Sequence, residues 1–123
     1  MPSVATIMHK HIVGVAPETK LYTALRLTKN SAVSVLPVLK NGKLVGIITR
    51  KDIENALAKG TSDGAEVGTL MKKPVFVELD SSIDEAAEIM IKHRITRLPV
   101  VNSKKEMICN GIVSSSDVVA AKA

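Results

Sequence analysis

The chain has 123 residues, 46% of them hydrophobic, a formal net charge of +5 at neutral pH, a single cysteine, and Tyr22 and Phe76 as its only aromatics. That length suits one compact body or two small halves rather than a multidomain enzyme. Cys109 alone excludes an intrachain disulfide and a thiolate-built zinc cluster. No apolar run is long enough to span a bilayer, and Met1-Pro2-Ser3-Val4 has neither the charged nor the apolar region of a signal peptide, so a soluble cytoplasmic protein is expected.

In chain order, Ile12 to Val15 reads as a short strand, and Leu21, Ala24, Leu25 and Thr28 recur at helical spacing behind the loose start Pro17-Glu18-Thr19. Leu36 to Leu39 and Lys43 to Thr49 are β-rich runs around Lys40-Asn41-Gly42, a strong hairpin signal. A helix follows from about Arg50 to Lys59, stopped by Gly60. The same order then returns. Val75 to Leu79 is a strand, and Ile83, Ala86, Ala87, Met90 and Ile91 line a helix whose start, Ser82 with Glu85, has capping-box spacing. A longer hairpin turns through Asn102-Ser103-Lys104-Lys105-Glu106, and a last helix begins near Ser115.

The return is literal. Leu36-Pro37-Val38-Leu39 and Gly46-Ile47-Ile48-Thr49-Arg50-Lys51-Asp52-Ile53 reappear as Leu98-Pro99-Val100-Val101 and Gly111-Ile112-Val113-Ser114-Ser115-Ser116-Asp117-Val118, and Thr6-Ile7-Met8 aligns with Thr69-Leu70-Met71. The offset is 62 residues at the prolines and 65 at the glycines, so the second copy carries its insertion in the hairpin loop. Residues 1–60 form one repeat, 61–66 a linker and 67–123 the other. Each repeat is strand, helix, strand, strand, helix, and a unit of roughly 60 residues is near the lower limit for folding alone. Two such units are expected to share a core about a pseudo-two-fold axis with a ligand cleft between them.

Thr49-x-x-Asp52 and Ser114-x-x-Asp117 stand where a strand passes into a helix. A hydroxyl three residues before a carboxylate satisfies the orphan amides of a helix start, which accounts for both pairs as caps. The same junction presents free N–H groups and the positive end of the helix dipole, which suits a phosphate, and a carboxylate there can accept hydrogen bonds from two ribose hydroxyls. Both readings stand on the residues alone.

The duplicated Gly-h-h-[Ser/Thr]-x-x-Asp run, the Thr-x-Met openings, Asp80-Ser81-Ser82-Ile83 with Glu85-Ala86, and Arg97-Leu98-Pro99-Val100-Val101 together resemble the tandem cystathionine-β-synthase-type (CBS) domain pair, or Bateman module, over nearly the whole chain. The resemblance implies a regulatory sensor of adenosine-containing ligands such as AMP, ADP, ATP, S-adenosylmethionine or NAD, not an enzyme and without a cofactor. It implies that Asp52 and Asp117 hold ribose, that Thr49 and Ser114 lie near the ribose-phosphate, and that Arg97, with Arg50 and Lys51, meets phosphate. Ile12, Val13, Pro74 and Val75 would form the slot for the base. In Arg97's place the first copy has Val35, and in place of Arg50-Lys51 the second has Ser115-Ser116, so unequal affinity of the two sites is expected. As a stand-alone module, the chain would form a homodimer and signal to a separate effector protein.

Two other classes compete. The basic charge suits a nucleic-acid-binding protein, but the Lys and Arg residues are scattered and aromatic stacking platforms are lacking. A structural or dimerising adaptor without ligand is the other. Catalysis lacks a nucleophile with a base, and no metal site is expected: His9-Lys10-His11 offers two ligands without a third and reads as surface decoration.

Overall fold

The computed structural model describes residues 2–123. Along the chain run α1 (Leu21–Ser31), β1 (Val35–Lys40), β2 (Lys43–Thr49), α2 (Arg50–Ala58), β3 (Val77–Glu78), α3 (Ile83–His93), β4 (Arg97–Val101), β5 (Cys109–Ser114) and α4 (Ser115–Lys122), with single 3-10 turns at Val4–Thr6 and Val67–Thr69. The mixed α/β architecture is the expected one. The first hairpin turns at Asn41 (φ 52°) and Gly42 (φ 79°), the paired positive angles that a tight two-residue connection demands. β4 and β5 pair antiparallel from Arg97↔Ser114 to Val100↔Gly111, after which Val101 pairs with Cys109 and Asn110 is left over as a bulge.

The opening strands are shorter than the sequence suggests, and proline explains it. Ile12 to Val15 contributes only the parallel bridge Val15↔Val38, and Val75 to Leu79 contracts to β3, which pairs with β4 at Val77↔Val100 and Glu78↔Val101. Around Val15, its N–H donates to Pro37 O (3.0 Å) and Leu39 N–H donates to Val15 O (2.8 Å). Extending this ladder backwards requires an N–H from Pro37, and extending it forwards requires one from Pro17. Neither exists. In the second copy Pro99 blocks the backward step in the same way, but Leu79 stands where Pro17 does and donates to Val101 O (2.9 Å), so the ladder survives.

Two compact units emerge, and they do not coincide with the sequence repeats. One comprises residues 13–41 and 45–74; the other comprises, among the described residues, 2–12, 42–44 and 75–123. The opening segment of each repeat thus belongs to the unit built mainly from the other repeat. In the first unit the aliphatic core contains Val15, Leu21, Leu36, Val38, Ile48 and Ile53 together with Val67 from the arm of the second repeat. In the other unit Val4, fully buried, is the counterpart, and its N–H donates to Ser81 O (2.9 Å) as Val67 N–H donates to Thr19 O (2.8 Å).

Each arm then runs beside the strand that carries the repeated glycine. His9 and Ile112 exchange backbone hydrogen bonds (2.8 and 2.9 Å), as do Ile47 and Lys72 (3.1 and 2.9 Å). A Cβ on Gly111 would come within 2.6 Å of His9 O and 2.9 Å of Met8 Sδ, and one on Gly46 within 2.9 Å of Lys72 O and 2.7 Å of Met71 Sδ. The motif glycine is therefore the seat of the arm. The linker is also structural: α1 has no side-chain cap, and its first N–H groups, on Leu21 and Tyr22, donate to Ala65 O (2.9 Å) and Asp63 O (3.0 Å).

Gly111→Ala and Gly46→Ala are each expected to lose about 1–3 kcal/mol of stability, because a backbone oxygen cannot move aside as a flexible side chain can. Urea denaturation of the two variants checks this, and unchanged midpoints would mean that the arms are not seated there.

Candidate functional site

Both strand-to-helix junctions are built alike. In the first unit, Thr49 Oγ1 accepts from Asp52 N–H (3.0 Å) and Thr49 N–H donates to Asp52 Oδ2 (3.4 Å). In the second, Ser114 Oγ accepts from Asp117 N–H (3.2 Å) and Ser114 N–H donates to Asp117 Oδ2 (2.8 Å). These are complete capping boxes, so the structural reading of the motif holds in both copies.

The cap consumes only one carboxylate oxygen. In each unit the other, Oδ1, faces a basic side chain from the seated arm: Lys72 Nζ lies 3.1 Å from Asp52 Oδ1, and His9 Nε2 lies 2.9 Å from Asp117 Oδ1. The two arm residues align, since each directly follows the Met of a Thr-x-Met run. Sequence reasoning missed this pairing: it set His9 aside as decoration and did not weigh Lys72. The signal was nonetheless present, as a basic residue at the same place in both copies.

Electrostatically, burial by itself would raise the Asp117 carboxyl, but the Ser114 backbone N–H, the His9 ring and the Ser114 hydroxyl together hold it below its ordinary value. Cys109 is half-buried; desolvation pushes its thiol up, outweighing the backbone hydrogen bonds at Gly111 and Val100 that pull it down, which marks an apolar filler rather than a nucleophile.

Of the predicted phosphate ligands, Arg97 pairs across the ladder with Ser114, so β4 and β5 bring it to the Asp117 junction. Arg50 starts α2 beside Thr49 but is turned along the helix, Nε 3.4 Å from Glu54 Oε2. Lys51, in the first turn of α2, is exposed. The four base-slot residues are all half-buried and divide between the units, Ile12 and Val75 in one and Val13 and Pro74 in the other, with Val13 packed on the core of its unit. Among the described residues no group of three His, Cys, Asp or Glu side chains is placed to hold a metal, and no helix is long and apolar enough to cross a membrane.

A duplicated α/β unit that repeats one capped carboxylate at each strand-to-helix junction defines a tandem-repeat module. The family model described as "CBS domain" matches residues 4–59 and again 67–123, and the chain belongs to that family. It is 35% identical over 115 residues to an inosine-5'-monophosphate dehydrogenase of Thermoplasma acidophilum, a match covering 93% of this chain but 22% of that enzyme. The likeness therefore concerns a fifth of the relative's length. Among solved structures, it matches the CBS domain pair of protein MJ0100 in complex with 5'-methylthioadenosine and S-adenosyl-L-methionine (TM-score 0.82, 28% identity, 98% of this chain and 95% of that one). It also matches CBSX2 in complex with AMP (TM-score 0.82, 29% identity, 98% and 95%).

The lowered carboxyl of Asp117 links to stability with a definite sign. A group with a depressed folded-state pKa contributes fully above its unfolded value, about 4 for Asp, and that contribution disappears as pH falls through the lower folded value. Asp117→Asn is thus expected to melt below the parent at pH 6 and to converge with it as the pH falls below the ordinary Asp range, as followed by circular dichroism.

Proposed function

We propose that this chain is a regulatory module that binds adenosine-containing nucleotides, with Asp52 and Asp117 receiving the ribose hydroxyls and Thr49 and Ser114 lying near the ribose-phosphate. The observation that carries the reading is the division of labour within each carboxylate. Oδ2 closes the capping box, while Oδ1 is held only by an exposed, displaceable side chain. In both copies the cap leaves the second carboxylate oxygen facing outward, free to accept from a hydroxyl once that side chain moves. The solved relatives that hold AMP, S-adenosylmethionine or methylthioadenosine share an adenosine moiety, and this supports the same ligand class here.

Phosphate recognition falls to Arg97 at the Asp117 junction, with Lys51 as a secondary cation on α2; Arg50 is already engaged by Glu54. Because the first copy has Val35 in place of Arg97, nucleotides with a phosphate favour the Asp117 site and uncharged adenosyl ligands discriminate less. No cofactor is assigned, and the output passes to an effector protein by a ligand-dependent preference between conformations.

A second copy of the chain is the partner proposed for α3 and α4. These helices contact each other and carry the most exposed large apolar side chains described, Ile91 at 77% and Val119 at 69%. Apolar groups so open to water favour association with a like surface.

Thermal denaturation with AMP, ADP, ATP, S-adenosylmethionine and NAD tests the ligand class. A ligand at a hundred times its Kd is expected to stabilise the fold by about 2.7 kcal/mol, and Asp52→Ala or Asp117→Ala should each lose part of that response. The reading fails if no adenosine ligand raises the midpoint, or if both variants respond like the parent. Sedimentation of the parent and of Ile91→Glu with Val119→Glu tests the pairing: the parent should run as a dimer and the double variant as a monomer, and a monomeric parent would dismiss it.

A further inference from the structure

Each proposed ribose carboxylate has a basic residue at its outward oxygen, and that residue comes from the other sequence repeat's arm. His9 and Lys72 have their backbones pinned by paired hydrogen bonds to Ile112 and Ile47, so the Cα positions are fixed beside the two Asp residues. Their side chains are not fixed. His9 and Lys72 are 66% and 68% exposed, whereas the carboxylates they touch are 18% and 20% exposed. A mostly solvated head on a half-buried carboxylate makes a contact of small strength, readily opened.

A carboxylate offers about four lone-pair positions on two oxygens. The helix cap takes one on Oδ2, and the arm side chain takes one on Oδ1 from the solvent side. A ribose diol donates two hydrogen bonds, and the arm nitrogen already holds one of the positions on the outward oxygen that the cap leaves open. An imidazole or ammonium nitrogen at 2.9–3.1 Å from Oδ1 competes with the incoming hydroxyls for that oxygen.

Resting on the reading of Asp52 and Asp117 as ribose ligands, we infer that His9 and Lys72 are gate residues: each occupies Oδ1 of its motif Asp and must swing into solvent to admit the ribose diol, so each sets the affinity of its own site. The gates are unlike. Lys72 offers an ammonium with three donors on a flexible four-carbon stem, whereas His9 is a short, planar ring that presents one nitrogen. The two sites therefore differ for the ribose alone, apart from any difference in phosphate contacts.

The test uses adenosine, which carries no phosphate, and 2',3'-dideoxyadenosine, which carries no diol. Titrations are followed by NMR at the amides of residues 52 and 117. For His9→Ala the expected result is a roughly two- to fivefold tighter affinity for adenosine at the Asp117 site, the size that an exposed ion pair carries, with the Asp52 site unchanged. Lys72→Ala should give the reverse pattern, and neither variant should alter dideoxyadenosine binding. If adenosine binds and is weakened by Asp52→Asn and Asp117→Asn, but the arm variants bind it equally or more weakly, the gate is overturned and the ribose reading survives. The gate is also overturned if dideoxyadenosine gains as much as adenosine. If adenosine does not bind, or binds regardless of both Asp→Asn changes, the ribose reading and the gate fall together.

Discussion

The pairing of each arm with a motif glycine is the contact on which the rest depends. A Thr-x-Met segment can lie against a strand only where the strand has no Cβ, and Gly46 and Gly111 provide that place. Once seated, the arm delivers three things together: a buried Val to the core, a two-bond bridge to the strand, and a basic side chain to the motif carboxylate. Fold and site are thus consequences of one close approach.

Capping and binding, posed as rival explanations of Thr49-x-x-Asp52 and Ser114-x-x-Asp117, turn out to be compatible. The capping box uses one oxygen of each Asp and, by fixing the carboxylate plane, orients the other. The same hydrogen bonds that satisfy orphan amides at the helix start therefore preorganise an acceptor next to the positive end of the helix. At Asp117 the donors outweigh desolvation and hold the group in its charged form, the form that can accept from hydroxyls.

Departures from perfect duplication are where the two copies acquire different properties. Pro17 against Leu79 removes a strand from one copy and leaves it in the other, by the loss of one N–H. Val35 against Arg97 gives only one junction a guanidinium on the neighbouring strand. Lys72 against His9 puts different bases on equivalent oxygens. The first difference is architectural; the other two change the charged groups beside the motif carboxylates.

Much was legible in the residues by themselves. Helices α1 and α3 followed from apolar spacing, the first hairpin from Asn41-Gly42, and the repeated capped carboxylates from the hydroxyl-to-Asp interval, because each is a local property of a few neighbouring residues. The duplication followed from order and spacing, and the family from the resemblance of the repeated motifs. What the sequence could not decide is which repeat each arm joins: Thr6-Ile7-Met8 and Thr69-Leu70-Met71 are so alike that either could sit against either glycine. Only the tertiary structure makes that choice, since it rests on contacts between residues about a hundred positions apart in one case, His9 with Ile112, and twenty-five in the other, Ile47 with Lys72. His9 and Lys72 became candidates for the same reason. A side chain's neighbours across the fold are not encoded in its neighbours along the chain.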